Sequence, residues 1–573
     1  MGSRIVGRPL RLPQEDSASR FRQAERLPSN LVHHVRRYIL AFLAILPSVH
    51  GEPLELQSHY RMETSPGSGN FEAVQKQLRW EGSETAIVIC DMWDRHWCKG
   101  ATARVAEMAP RMNEVIRAAR RRGVFIIHCP SGTMEFYKDT PQRKLAQAAP
   151  RVKPKIPLEA WCSLDPKLEA PLPIDDSDNG CDDLPRCNPA GHSKSQIATL
   201  EIAPGDAITD SAEAYYLLQQ RGIKNVIVMG VHTNMCVLGR PFSIRQMVRQ
   251  GKNVVLMRDL TDTMYNSRRA PYVNHFAGTD LVVAHIEKYW CPTITSSNFI
   301  GGKPFRVRAD RRPKVVFVIG ENEYRTWETL PEFARAELEW RGIDCRFVHA
   351  SPKDGEMDFA GYEVIPQADL LFVSVRRRTP AKEMLAMIRR HVADGKPVVG
   401  IRTASHAFAA TPPDGRYAAW PEFDAEVLGG NYRGHYGNKP PKDPPTLVRT
   451  IPAASDHPVL VGVPGATLSV TSHLYRNRGA SKHILPLMEG QVKGQTTIEP
   501  VAWVNTNQER RVFYTSLGDP HDFQLPAFRR LLLNGTLWAL DMPIPPTTHA
   551  PKGEAHPVPG RFQKPAKADA FRE

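Results

Sequence analysis

The chain has 573 residues, too many for one domain, and this length predicts about three or four structural units. Its hydrophobic content of 41% is ordinary for a globular protein, and its formal net charge is +14. Part of that charge lies at the N-terminus, because residues 1–37 hold eight arginines against three acidic residues. No basic stripe interleaved with aromatic residues follows, so the composition argues against a nucleic-acid partner.

A short apolar run near the N-terminus has the pattern of a secretory signal. Tyr38–Leu46 (YILAFLAIL) follows the basic residues Arg36 and Arg37. The segment after it, 47–51 (PSVHG), contains small residues, as expected after the apolar core of a signal peptide. Nine apolar residues are too few to span a bilayer, so no stable membrane anchor is predicted. We expect residues 1–51 to be a targeting region and the protein to be exported, to the periplasm or the extracellular space. A buried helix of a cytoplasmic protein is the alternative.

The first half of the chain alternates strand-like and helix-like segments. Residues 52–83 are polar and predict a loop-like extension. Beyond them, strands are predicted at 85–90, 124–127, 225–231, 253–258 and 281–285, and helices at 103–122 and 211–221. This alternation predicts an α/β fold in which a mostly parallel sheet lies between helices. The proline-rich insertion 147–196 interrupts the pattern, and a loop of that length is usually functional or disordered.

The segment Asn225–Val237 (NVIVMGVHTNMCV) carries the strongest chemical signal. A run of apolar residues, predicted to be a buried strand, is followed by Gly230 and a turn. Cys236 comes next, at the junction between this strand and a helix predicted to reach Val248. The helix dipole there favours a thiolate, which makes Cys236 a candidate nucleophile. The alternative is a small buried hydrophobic residue. Ligands of parallel sheets bind at the carboxyl ends of strands, where Asp91 and His128 also fall.

This segment, together with Asp91-Met92 and a downstream lysine, resembles the isochorismatase-like cysteine hydrolases. That family includes nicotinamidases and carbamoyl hydrolases, and the resemblance covers roughly residues 84–292. It implies a catalytic triad of Cys236, Asp91 and Lys194, in which Asp91 takes the thiol proton and Lys194 holds the thiolate. It also implies a cis peptide before His232, so that the N–H groups of His232 and Cys236 form an oxyanion hole.

The same resemblance directs attention to residues that would contact a small-molecule substrate. These are predicted to be Trp93, Trp97, His128 and Asn234, with ordinary core packing as the alternative for the aromatic residues. Some family members bind a metal, and Asp94, His96 and His128 offer ligand-type side chains. His96 fits equally well as a pocket wall beside the tryptophans, and no metal or other cofactor is predicted.

A second α/β pattern follows a polar linker at residues 293–312. Strands are predicted at 314–319, 344–348, 370–375, 397–402, 499–504 and 511–515, and helices at 330–341, 379–392 and 525–540. The complete chain is therefore predicted to form two consecutive three-layer α/β domains, 84–292 and 313–545, each with a mostly parallel sheet between helices. Residues 546–573 are rich in proline and lysine and predict a disordered tail.

The second domain resembles the trehalose-utilisation (ThuA-like) family, which shares the glutamine-amidotransferase-like sheet. The resemblance is carried by Gly400–His406 (GIRTASH), Ser516–His521 (SLGDPH) and Asn534–Ala539 (NGTLWA). Where amidotransferases have a nucleophilic cysteine this chain has Arg402, which cannot act as a nucleophile. Arg402, His406 and His521 are predicted to line a pocket for a sugar or an anion, although core or surface histidines explain the pattern equally well.

Two classes of function remain open from the sequence. The first is a cysteine hydrolase that acts on a small amide-, carbamoyl- or ether-type substrate. The second is an exported carbohydrate-binding or scaffold protein without hydrolytic activity.

Among the nine cysteines, Cys181 and Cys187 lie close enough in sequence for a local disulfide, and no C-x-x-C pair predicts a zinc site. Homo-oligomer formation is left open.

Overall fold

The computed structural model describes residues 52–69, 71–189, 193–350, 357–477 and 480–546. The predicted targeting region and nearly all of the predicted tail lie outside these described residues. In the part of the chain that is described, no helix is both long and apolar enough to cross a membrane. Two sheets, each flanked by helices, confirm the α/β class that the alternating pattern predicts.

The first sheet has eight strands in the order β2-β1-β8-β7-β6-β3-β4-β5. In chain order they are β1 (Leu54–Glu63), β2 (Phe71–Trp80), β3 (Thr85–Cys90), β4 (Phe125–Cys129), β5 (Ala207–Ile208), β6 (Asn225–Val231), β7 (Asn253–Asp262) and β8 (Thr293–Ile294). Strands β3 to β8 run parallel, whereas β1 pairs antiparallel with both β2 and β8. Every residue of β3 and β6 is buried, as expected for parallel strands covered on both faces.

Helices cover both faces of this sheet. They are α1 (Lys99–Arg121), α2 (Met134–Tyr137), α3 (Pro141–Gln147), α4 (Glu213–Gln220), α5 (Cys236–Gly239), α6 (Ile244–Arg249), α7 (His275–Tyr289) and α8 (Ser297–Ile300). Side chains alternate along β3, so that Ile87 and Ile89 join the core beneath α1 while Val88 and Cys90 join the core that contains Cys236. This alternation places the Cys90 side chain in the core.

Three predicted features of the first half are wrong. Residues 52–83 form the β1–β2 hairpin, with pairs running from Leu54↔Trp80 to Glu63↔Phe71. Polar side chains on its exposed positions hide the strand pattern in the sequence. The predicted strand at 281–285 belongs to α7, because a short apolar run does not distinguish a buried strand from a buried helix. The predicted linker begins with β8 and α8, so the first domain extends through Ile300.

The second sheet has ten strands in the order β11-β10-β9-β12-β13-β18-β17-β16-β14-β15. They are β9 (Lys314–Gly320), β10 (Asp344–Ala350), β11 (Phe359–Ala360), β12 (Leu370–Val375), β13 (Val398–Ile401), β14 (Thr446–Thr450), β15 (Leu468–Val470), β16 (Ile484–Val492), β17 (Ile498–Asn505) and β18 (Val512–Thr515). The flanking helices are α9 (Thr326–Phe333), α10 (Lys382–Ala393) and α11 (Pro526–Ala539).

In the second sheet β10, β9, β12, β13 and β18 are parallel, and β17, β16, β14 and β15 extend the sheet with antiparallel pairs. The parallel strands agree with the prediction to within two residues at each end, because all of them except the partly exposed β10 are buried on both faces. Strands β14 to β16 were not predicted. Their exposed positions interrupt the apolar pattern that the parallel strands show.

Candidate active site

Cys236 is the first residue of α5, immediately beyond the central strand β6. The turn that leads to it is held by the Thr233 N–H, which donates to the Asp262 carbonyl at 2.8 Å. Gly230 allows this turn to form, because its φ is +110° and an added Cβ would lie 2.1 Å from the Cys90 carbonyl oxygen. The close approach of β6 to β3 places Cys236 beside the residue that follows β3.

That residue is Asp91, which is fully buried and has a left-handed φ of 47°. Its Oδ1 accepts the Ser131 N–H at 2.7 Å, and its own N–H donates to the Cys129 carbonyl at 3.0 Å. The Asp91 carboxylate lies close enough to the Cys236 thiol to raise the pKa of that thiol. The structure therefore brings together the thiol and the carboxylate that the sequence predicts as nucleophile and base.

The cation of this cluster is Arg240, which sequence reasoning missed. Its Nε lies 3.5 Å from Asp91 Oδ2, and its guanidinium also interacts with the Cys236 thiol. Lys194 has an exposed side chain, and its backbone N–H donates to Asp94 Oδ1 at 3.1 Å. No ion pair joins Lys194 to Asp91 among the described residues. Arg240 follows Cys236 by four residues, the spacing of one helical turn, and this spacing is the signal that points to it.

The electrostatics of the cluster contradict a resting thiolate. Burial raises the pKa of Cys236, the neighbouring Asp91 carboxylate raises it further, and Arg240 opposes both effects. Burial also raises the pKa of Asp91, again against the influence of Arg240. One negative charge on Asp91 balances Arg240, whereas a second on the thiol would be buried without a partner. Burial and the charge on Asp91 therefore favour the protonated form of the thiol.

Two backbone N–H groups beside the thiol are available to a ligand. The peptide between Val231 and His232 is cis, as the family resemblance implies. In the described parts of the chain, the N–H groups of His232 and Cys236 donate to no other group, although neighbouring N–H groups of the same turn do. Two such donors suit a negatively charged oxygen.

An aromatic wall flanks the cysteine. The ring centroids of His96 and His232 are 4.8 Å apart, Trp93 stacks on His96 at 5.9 Å, and Trp97 lies 5.3 Å from His96. Burial lowers the pKa of His96 to about 4 and that of His232 to about 3, so both rings are neutral at pH 7. The His232 Nε2 is buried without a hydrogen-bond partner, which leaves a polar atom for a ligand.

His128 and Asn234 are engaged within the protein instead. His128 is fully buried, and its ring nitrogens contact Gln196 Oε1 at 3.1 Å and Asp206 Oδ2 at 3.2 Å. The Asn234 amide donates to Asp176 Oδ2 at 2.7 Å and accepts the Met264 N–H. Neither side chain has polar atoms left for the substrate contact that the sequence predicts. Both residues hold surrounding segments in place.

The metal alternative at Asp94, His96 and His128 finds no support in the geometry. Within the described residues these three side chains do not form a group of converging ligand atoms. Asp94 accepts backbone N–H groups from the chain at Lys194, and His128 lies between Gln196 and Asp206. His96 takes the alternative role, as part of the aromatic wall.

The insertion packs against the active-site cluster. Beyond Gln147, which ends α3, the described residues of the insertion form no helix, but their backbone is attached to α5: the Cys162 N–H donates to the Gly239 carbonyl at 2.7 Å. The Arg240 guanidinium lies 5.6 Å from the centre of the Trp161 ring, a cation–π contact that holds the cation in position. The insertion therefore helps to position the cation of the Cys236 cluster.

A buried carboxylate anchors the insertion further along. Glu169 forms an ion pair with Arg245 at 2.7 Å and contacts His285 and Trp290 at 2.8 Å each. Burial alone would raise the pKa of Glu169, but the contacts with His285, Arg245 and Trp290 lower it to about 2. Glu169 is therefore ionised at every physiological pH and ties the insertion to α6 and α7.

All nine cysteines are free, so the predicted disulfide between Cys181 and Cys187 is not present. Both thiols lie near the Asp183 carboxylate, at 3.7 and 3.1 Å from its Oδ2.

Raising the pH should lower the free energy of unfolding through the buried side chain of His275. Burial alone would lower the pKa of His275, but the carboxylates of Asp262, at 2.9 Å, and Asp182, at 3.3 Å, raise it to about 9. Because folding raises the pKa of His275, protonated His275 stabilises the folded state fully below its unfolded-state pKa of about 6.5. This stabilisation is lost as the pH rises through the folded-state pKa of about 9. Between these two pH values, we expect the free energy of unfolding, measured with urea, to fall by about 3 kcal/mol. His275→Gln should remove that slope, and a slope that persists in the variant would assign it to other groups.

The second domain has a buried cation just beyond the end of a parallel strand, as the first domain has Cys236 beyond β6. Arg402 follows β13, has a φ of 47° and is 1% exposed. One guanidinium nitrogen donates to the Ser516 carbonyl at 3.1 Å, and the group lies 3.7 Å from the centre of the Tyr324 ring. Its Nε and Nη2 are buried without hydrogen-bond partners. Two unpaired donors of a buried cation suit an anionic or polyhydroxyl ligand.

The two predicted histidines differ in position. His406 stacks on Tyr432 at 4.3 Å and lies 6.2 Å from Tyr475, whose ring also faces Arg402. Burial, and then the nearby arginines, lower the pKa of His406 to about 3. The His521 side chain is instead 72% exposed and pairs with Asp519 at 3.0 Å. The structure brings His406 to the Arg402 region and leaves His521 at the surface.

The fold and the site define a two-domain α/β protein with a buried Cys–Asp–Arg cluster in its first domain. Residues 314–539 match the family model of ThuA, trehalose utilisation, which confirms the resemblance of the second domain. Comparison with curated protein sequences finds no match.

Comparison with solved structures finds matches of low sequence identity, each of which covers part of this chain. A ThuA-like protein from Parabacteroides merdae is 19% identical over 40% of this chain and 90% of its own, with a TM-score of 0.30. A cysteine hydrolase from Pseudomonas syringae pv. phaseolicola is 16% identical over 38% of this chain and 92% of its own, with a TM-score of 0.25. An isochorismatase from Pseudomonas putida is 16% identical over 38% and 91%, with a TM-score of 0.24.

Proposed function

We propose that the first domain is a cysteine hydrolase of the isochorismatase-like type that acts on a small amide-, carbamoyl- or ether-type substrate. Cys236 is the nucleophile, Asp91 is the base, and Arg240 takes the role that the sequence assigns to Lys194. The observation that carries this proposal is the buried cluster of Cys236, Asp91 and Arg240 beside two unpaired backbone N–H groups.

The geometry suits covalent acyl transfer. The Cys236 sulfur attacks the carbonyl carbon of an amide while the thiol proton moves to Asp91. The negative charge on the former carbonyl oxygen is stabilised by the N–H groups of His232 and Cys236. Asp91 then returns the proton to the departing amine as the C–N bond breaks and a thioester remains. Water, deprotonated by Asp91, hydrolyses the thioester and restores the thiol. Arg240 balances the cluster's one negative charge in the resting state and in the thioester.

Arg240→Met should lower kcat/KM by about 10²-fold, because it removes the cation that balances this charge. Arg240→Lys keeps the positive charge but lacks the planar guanidinium group, and it should lower kcat/KM by less than Arg240→Met does. Lys194→Ala is the matched control and should leave turnover unchanged, since Lys194 is exposed. The assay uses a panel of small amides, carbamoyl compounds and vinyl ethers, and intact-mass analysis detects the thioester on Cys236. A large loss in Lys194→Ala with none in Arg240→Met would return the role to Lys194.

We propose that the second domain binds an anionic or carbohydrate-type ligand at Arg402. Its two unpaired guanidinium nitrogens and the adjacent tyrosine rings support this role. The match to the trehalose-utilisation model suggests a link to carbohydrate metabolism by analogy alone.

Export from the cytoplasm remains a proposal from the Tyr38–Leu46 pattern, with a cytoplasmic location as the alternative.

The second candidate function is an exported carbohydrate-binding or scaffold protein without hydrolytic activity. The raised pKa and 8% exposure of Cys236 favour it, since a protonated, buried thiol is a poor nucleophile on its own. The two candidates separate in one experiment. A Cys236-linked acyl intermediate with any substrate of the panel excludes the scaffold, and ligand binding without turnover across the panel supports it.

A further inference from the structure

Three thiols and one carboxylate converge at the start of α1. Cys98 is the residue that caps α1, and Cys181, Asp183 and Cys187 belong to the insertion. The three sulfur atoms lie 3.3, 3.7 and 3.1 Å from one carboxylate oxygen, Asp183 Oδ2. The ligand atoms of Cys98, Cys181 and Asp183 all lie within 4.8 Å of one another. Segments more than eighty residues apart thus bring three converging ligand side chains together, and Cys187 joins them through its contact with Asp183 Oδ2.

The distances match a tetrahedral zinc ion. Zn–S bonds of about 2.3 Å and Zn–O bonds of about 2.0 Å place a tetrahedral sulfur–oxygen pair about 3.5 Å apart and a sulfur–sulfur pair about 3.8 Å apart. The observed sulfur–oxygen distances of 3.1 to 3.7 Å bracket the first value. Three thiolates favour zinc over magnesium or calcium, which prefer oxygen ligands.

The backbone around the cluster is arranged for negatively charged ligands. The Ala101 N–H donates to the Cys98 sulfur, and the Lys99 N–H donates to the Cys187 sulfur, each at 3.4 Å. The Gly100 N–H donates to Asp183 Oδ2 at 2.9 Å, and a Cβ at Gly100 would lie 2.8 Å from Asp183 Oδ1. Such donors orient metal ligands and stabilise their charged forms.

The site has both burial and an entrance. Cys98 and Cys181 are fully buried, whereas Cys187 is half-buried and opens the cluster to solvent. Trp97 and Met235 pack against the same cluster, and they directly precede Cys98 and Cys236 in the chain. An ion here would fasten the insertion to a wall of the active site.

We propose that Cys98, Cys181, Cys187 and Asp183 form a structural zinc site that fixes the insertion to the N-terminus of α1. The inference stands on the geometry of these four residues and does not depend on the proposed hydrolase function. Zinc binding would displace the thiol protons to solvent and make the fold of the insertion sensitive to chelators.

The test measures zinc on the full chain, purified with reductant, stripped with a chelator and titrated with Zn²⁺ alone against a chromophoric competitor. The variants are Cys181→Ser, Cys187→Ser and Asp183→Asn, and Cys345→Ser is the matched control because Cys345 lies on β10 of the second domain. We expect about one zinc per chain in the wild type and the control, with at least about tenfold weaker binding in the three variants. Co²⁺ should give thiolate charge-transfer absorption in the wild type and the control and lose it in the serine variants.

Circular dichroism establishes that each variant is folded before its affinity is compared. The proposal is overturned if the wild type binds zinc no better than Cys181→Ser and Cys187→Ser, or if Cys345→Ser loses zinc equally. It is also overturned if peptide mapping of the protein from its native host shows a disulfide between any two of the three cysteines.

Discussion

Cys236→Ala should abolish hydrolysis by the first domain, with a loss of about 10⁴-fold or more in turnover, because no neighbouring group replaces the covalent step. Cys90 and Cys129 lie in the same core, but both are fully buried, and burial raises the pKa of each thiol. Turnover is measured with whichever compound of the amide, carbamoyl and ether panel the wild type hydrolyses. Loss of the acylated species in the intact mass of Cys236→Ala provides a second readout.

Arg402→Ala is the companion variant and should leave this hydrolysis intact. The Cys236 cluster lies beyond the ends of β3 and β6 in the first sheet, and Arg402 lies at the end of a strand in the second. Its guanidinium can bind a ligand but cannot attack one. If Arg402→Ala stays folded, as judged by its thermal transition, and yet loses turnover, then the two domains share one reaction or the second domain performs it.

Glu169→Gln should lower the free energy of unfolding by about 3–5 kcal/mol, because it leaves Arg245 buried without its carboxylate partner. The side chains of this pair are 0% and 5% exposed. Urea unfolding at pH 7, followed by tryptophan fluorescence, measures the loss. Glu159→Gln is the matched control: it breaks an ion pair with Arg249 at 3.3 Å in which Glu159 is 46% exposed, and it should cost less than about 1 kcal/mol.

The pH dependence of Glu169→Gln provides an independent check. Because folding lowers the pKa of Glu169 to about 2, its contribution is present above the unfolded pKa of about 4.3 and is lost as the pH falls through 2. The difference between wild type and variant should therefore shrink as the pH falls below about 4. A difference that stays constant to pH 2 would mean that the carboxylate charge is not what stabilises the insertion.

The parallel strands and the Cys236 turn were predictable for a common physical reason. Strands such as β3, β6 and β12 are buried on both faces, so they appear in the sequence as uninterrupted apolar runs whose ends locate the ligand-binding edge. The β1–β2 hairpin was missed because many of its residues face solvent. The strand predicted at 281–285 was wrong because a run of four apolar residues followed by a histidine fits a buried helix equally well.

What the sequence determined by itself was the two-domain α/β fold, the position of Cys236 and Asp91 at the carboxyl ends of parallel strands, and the loss of a nucleophile at Arg402. Each depends on local periodicity or on the identity of a single residue. Only the tertiary structure decided that Arg240 and not Lys194 pairs with Asp91, that Glu169 anchors the insertion, and that three distant thiols meet at Asp183. These contacts join segments far apart in the chain, and their charge pairing depends on distances that sequence spacing does not encode.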